Sequence, residues 1–258
     1  MHLSRFFHPK ILLRSSTFIV LTLLSAGLQP ALRAQEHSGH EMHAGMSMPM
    51  DGAAGTPNQA KLLADKRESE FNHHLAGLFV LLAGLIILAD SSLHDRLRFA
   101  SLVWPVCFLL SGLFVLIWSD TELWPFGPQS WSYGLTHHTE VLQHKVFAIM
   151  LLILGVIEFQ RTRGVLKSAW ASWVFPVFAV IGSAMLLFHE HRAGMHSPNH
   201  MEIIARIQSE HFSFAIAGIG IGLSKGLAET RFAWRPFFER LFPALLIVLG
   251  ALLMVYVE

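Results

Sequence analysis

"HHLAGLFVLLAG" (His73–Gly84), "HKVFAIMLLILG" (His144–Gly155) and "EHFSFAIAGIGIG" (Glu210–Gly222) repeat one pattern, a histidine leading into an apolar run that ends in glycine. Each is followed by a second apolar run that opens on an aromatic residue and proline: "WPVCFLLSG" (Trp104–Gly112), "FPVFAVIG" (Phe175–Gly182) and "FPALLIVLG" (Phe242–Gly250). Aligning His74, His144 and His211 gives spacings of 70 and 67, and Pro105, Pro176 and Pro243 recur at 71 and 67. Leucine, alanine and glycine recur by chance in any apolar chain, but two landmarks in register across three units mark an internal repeat. The expected architecture is three helical hairpins, at about 57–118, 136–188 and 198–257, arranged around an axis along the membrane normal as in parallel-repeat transporters.

Composition supports that placement. Hydrophobic residues make up 53% of the 258 residues and charged ones 14%, and mean hydropathy is positive. Beyond residue 70 the apolar residues gather into six blocks, about 71–89, 102–118, 146–159, 170–188, 211–228 and 237–257. At ~1.5 Å per residue each can cross ~30 Å of hydrocarbon, the third once Val141 to Lys145 extend it. The fold class is therefore an all-α membrane protein with six transmembrane helices in a pseudo-threefold repeat of hairpins, occupying 57–258. Thr56 and Pro57 read as the cap and first turn of its first helix.

Ahead of it, Arg5, Lys10 and Arg14 precede a short apolar run, Thr17 to Leu28, with Ala31 and Ala34 as cleavage points. Residues 1–34 thus read as a secretory signal peptide. Short inner loops should hold the basic excess, and Arg96 and Arg98, then Arg161, Arg163 and Lys167, then Arg231 and Arg235 fall on one side. That side is expected to be the cytoplasm, which places residues 35–56, the C-terminus and every histidine after the signal except His94 outside. Cys107 is the single cysteine, so neither disulfides nor thiolate clusters are available.

Residues 35–56 contain "EHSGHEMHAGMSMPMDG" (Glu36–Gly52), a segment expected to be disordered, with His37, His40 and His43 beside Met42, Met46, Met48 and Met50. Imidazole suits several transition metals, whereas thioether selects soft Cu(I), so the segment points to copper. A second set of donors lies at the outer helix ends. His74, His144 and His211 are equivalent in the repeat. Glu70, His73 and His74 cluster on one helix, and His137, Glu140 and His144 share a face of the next. His200 and His211 are aligned on the third inward helix, and His189 and His191 end the fourth. The apolar spans show no ionisable residue at mid-depth, only hydroxyls such as Ser111, Ser183 and Ser213, which argues against a proton-coupled pump.

The signal-led His/Met segment together with "FNHHLAG", "LQHKVFA", "LLFHEH" and "SEHFSFAIAG" resembles the bacterial copper-resistance inner-membrane proteins of the CopD type over roughly residues 70–228. The resemblance implies a role in copper homeostasis beside a periplasmic copper-binding partner, with His73, His74, His144, His189, His191 and His211 carrying it. The expected function is capture of copper by the segment and transfer to a His-lined site at the outer face. The alternative is a membrane cytochrome resembling the b561 group, with haem b held by His pairs. No nucleophile motif, phosphate loop or basic nucleic-acid patch points to another class, so a binding or transport role is expected rather than an enzyme.

Overall fold

The computed structural model describes residues 57–93, 100–188 and 200–257. The signal peptide, the His/Met segment with His37, His40, His43, Met42, Met46, Met48 and Met50, and also His189 and His191, lie outside the described residues. Those described form seven helices: α1 (Pro57–Leu93), α2 (Ala100–Trp118), α3 (Trp131–His137), α4 (Thr139–Thr162), α5 (Ala171–Leu186), α6 (His200–Glu229) and α7 (Arg235–Met254), with no strand among them. Helix α1 starts at Pro57, where proline costs nothing because the first turn has no use for its missing N–H.

Five helices, α1, α2, α4, α6 and α7, are long and apolar enough to cross a membrane. The chain is thus a multi-pass membrane protein. The expected fourth span, 170–188, is a shorter apolar helix, α5, of 16 residues. At ~1.5 Å per residue it covers about 24 Å, less than a full hydrocarbon core.

Helix packing is set by small residues. A side chain on Gly84 of α1 would put its Cβ 2.9 Å from Ile247 N on α7, one on Gly155 of α4 would lie 3.0 Å from Leu109 N on α2, and one on Gly222 of α6 would lie 3.1 Å from Val180 N on α5. In each case the atom approached is a backbone nitrogen four residues beyond the helix proline, Pro243, Pro105 or Pro176, all three of them buried. The glycines recur at 71 and 67, as the prolines do. Without a Cβ, the paired backbones approach closely enough for dispersion to hold them where lipid provides no hydrophobic drive. Further along, Gly112 lies against Ala148 O and Leu152 N, and Gly250 against Gly77 O and Leu81 N.

All the helices but the seven-residue α3 close into a ring. α1 packs on α7, α2 on α4 and α5 on α6, while α4 meets α5 and α6 meets α7. The circle is completed where Asn72 Nδ2 of α1 donates to Ser119 O just past α2 at 3.3 Å. Towards the arginine face the ring is filled by aromatics, those immediately before the prolines meeting centrally. Trp104 lies 6.3 Å from Phe175, and Phe175 lies 5.2 Å from Phe242, centroid to centroid. Phe108, 5.5 Å from Phe175, completes the plug. Towards the histidine face the ring stays open.

Candidate functional site

That opening is a cavity of about 800 Å³ lined by residues of all six ring helices. His73, His144 and His211 line it; His74 is not among the lining residues. Successive helix positions are ~100° apart, so His73 and His74 cannot share a direction, and His74 instead places Nε2 2.9 Å from Tyr256 O at the end of α7. Of the three histidines aligned from sequence, His144 and His211 line the cavity and His74 does not, its neighbour His73 standing there instead. His73, His144 and His211 are spaced 71 and 67, the spacing of the prolines and of the packing glycines.

His73 and His211 form a pair, with ring centroids 5.9 Å apart and planes at 87°. His73 stacks on Tyr256 at 4.0 Å, and Phe214 lies 5.6 Å from His211. The Nδ1–H groups donate one turn back, from His73 to Ser69 O and from His211 to Ile207 O, both at 2.8 Å. A carbonyl can only accept, so Nδ1 carries a proton in both rings, the arrangement by which a backbone oxygen orients an imidazole. Helix α1 begins at Pro57, four turns before His73, which places that ring beyond the reach of a helix-end effect.

His144 belongs to a different network. Its Nδ1 lies 2.9 Å from Asp120 Oδ1, and the other carboxylate oxygen lies 2.7 Å from Lys145 Nζ. Lys145 also donates to Leu116 O at 2.9 Å, one of the terminal carbonyls of α2 that has no partner within its helix. The ammonium thus caps the negative end of α2 and compensates Asp120 at once. Asp120 lies in the loop beyond the span; burial alone would raise its pKa, but the hydrogen bond and charge of His144, with hydrogen bonds from Lys145 and Ser119, outweigh this and hold it below the ordinary carboxylate value. Glu68 ties the same loop to α1, accepting from Thr121 Oγ1 at 2.7 Å and Thr121 N at 3.2 Å.

Of the remaining candidates, Glu140 lines the cavity and Glu70 does not; Glu70 pairs with Lys66 at 3.6 Å. His137 is separated from Glu140 and His144, because His138 adopts φ −123°, ψ 102° and breaks the helix between α3 and α4. His137 instead stacks on Tyr133 at 4.2 Å, so the expected shared face is corrected; His138, not singled out from sequence, lines the cavity. His200 opens α6, eleven residues before His211. Among the described residues no group of three or more His, Cys, Asp or Glu side chains is placed to hold a metal ion. The arrangement there is a His73–His211 pair with His144 oriented by Asp120.

A second charged cluster lies on the arginine face. Glu158, buried in α4, binds Arg161 at 2.7 Å, Arg161 reaches Glu229 of α6 at 3.1 Å, and Lys225 meets Glu229 at 2.7 Å. Sequence reading places no such network in the apolar spans, because each charge alone looks like a helix-end residue. Comparisons with protein-family models, curated proteins and solved structures find no match to this chain.

Proposed function

We propose that this chain is a copper-binding protein of the bacterial inner membrane, in which residues 35–56 capture copper outside and pass it to the imidazoles at the cavity mouth. In this reading six spans form three repeated hairpins, the arginine face is cytoplasmic, and residues 1–34 direct export. The observation that carries it is that His73, His144 and His211 line one cavity, His73 and His211 each with Nδ1 held 2.8 Å from a backbone carbonyl. Two imidazoles need further donors to bind copper firmly, and the thioethers and imidazoles of the His/Met segment supply soft ligands of the right kind for Cu(I). Asp120 behind His144 is the carboxylate partner that orients a ligating histidine.

Copper content of the purified full-length protein tests this. Replacing His73, His144 and His211 by Ala is expected to lower the copper retained per chain, and deleting residues 36–52 to slow loading without abolishing it. Unchanged stoichiometry in the triple variant rejects the membrane site. A second reading, haem b held by a histidine pair, draws on His73 and His211 standing on different helices beside a large cavity. A Soret band in the purified protein, lost in His73→Ala, would replace the copper reading with it.

A further inference from the structure

The cavity is far larger than a metal ion and its ligands require. At about 800 Å³ it falls in the range of sites that enclose organic molecules, ~300–1,000 Å³. Its deeper wall is apolar and rich in aromatic faces: Phe108, Phe147, Phe175, Phe178 and Phe214 all line it, with no charged residue among the lining residues at that depth. A bare ion there would lose its hydration with only the hydroxyls of Ser111 and Ser183 and the thioether of Met150 to replace it.

The mouth is different in sign as well as polarity. Asp65, Glu68, Asp120, Glu122 and Glu140 line it, with Lys66. Asp120 is neutralised from behind by Lys145, and Lys66 is itself paired with Glu70. Asp65, Glu68 and Glu122 remain as an acidic rim above an aromatic well. Negative groups at the entrance of a low-dielectric cup concentrate cations and repel anions, while ring faces below attract a cation that has shed its water.

We propose that this cavity binds lipophilic organic cations, amines or quaternary ammonium compounds that carry an aromatic or bulky aliphatic body, with the body among the phenylalanines and the charge under the acidic rim. A lipid acyl chain would fill the same apolar well but has no use for the sign of the rim, so charge discrimination separates the two occupants. The proposal does not depend on copper.

The test uses full-length protein in nanodiscs, stripped of metal with chelator, and two probes of the same shape and opposite charge, tetraphenylphosphonium and tetraphenylborate, measured by equilibrium dialysis. Saturable binding of the cation, with little of the anion, is expected. Exchanging Asp65→Asn and Glu122→Gln, both exposed and so tolerated by the fold, should weaken the cation about three- to tenfold and reduce its salt dependence. Phe178→Leu, close to conserving apolar volume, should weaken it by removing a ring face. Equal or preferred binding of the anion, binding of neither probe, or a cation affinity that ignores the rim substitutions would each overturn the proposal. None of these results touches copper retention, so its failure is separable from that of the metal site.

Discussion

Gly250→Ala isolates the contact between the first and last helices. In an unpacked helix the change would be favourable by about 1 kcal/mol, the propensity difference between glycine and alanine. Here the new Cβ would sit 2.5 Å from Leu81 N, 2.7 Å from Leu81 Cα and 2.8 Å from Gly77 O. All three are backbone atoms, so no side-chain rotation relieves the overlap and α1 must move away from α7 by about 1 Å to restore ordinary contact. Overpacking of this kind costs about 1–3 kcal/mol, and a gap of ~1 Å forfeits up to about half the dispersion well of every atom pair along the interface. A net loss of about 1–3 kcal/mol corresponds to a fall in Tm of roughly 2–10 °C. Gly220→Ala is the matched control, because its Cβ would meet Leu245 Cδ1 at 3.2 Å, the far end of a flexible side chain. Thermal unfolding in detergent, followed by tryptophan fluorescence, should show Gly250→Ala melting below the parent and Gly220→Ala at or above it. Equal Tm values for the two variants would refute the reasoning that backbone approach at Gly250 holds this part of the ring.

Two further outcomes follow from the charged clusters. The pKa of Asp120 is lowered in the folded protein, so its stabilising contribution is complete above the unfolded carboxylate value of about 4 and is lost as pH falls from there through the folded value; Asp120→Asn should remove that part of the acid destabilisation in pH-dependent unfolding, and an unchanged acid limb would contradict it. Arg161→Leu leaves Glu158 buried, at 4% side-chain exposure, without its closest cation and should cost about 3 kcal/mol, much of it recovered in the double change with Glu158→Gln; a neutral single variant in the same assay would show that Lys225 alone compensates the carboxylate.

The all-helical membrane class was legible because it rests on local patterning, blocks of apolar residues that are recognisable without any knowledge of contacts. Which of the two neighbouring histidines faces the cavity was harder to read: His73 lines it and His74 does not. His73 shares the spacings of 71 and 67 with the prolines, whereas His74 gives 70 and 67. The grouping of His137 with His144 failed because periodicity assumes an unbroken helix, and the break at His138 comes from an extended backbone that no glycine or proline announces. Asp120, Lys145 and Tyr256 were invisible for another reason. Each looks like an ordinary helix-end residue, and acquires meaning only when chain segments far apart in sequence meet, as when Tyr256 stacks on His73. The cavity is a property of the closed ring and has no sequence signature at all.

Closure of that ring by its first and last members has a consequence for biogenesis. His74 and Tyr256, which meet across the closing contact, are 182 residues apart. At ~5–20 residues per second of synthesis, α1 waits roughly 10–35 s in the bilayer before the helix that covers its glycine face has been made. During that interval Gly77 and Gly84 present a bare backbone strip to lipid or to any other helix within reach. The ring helix made last is thus the one that ends the exposure of the first, and changes in α7 should be felt most strongly at α1.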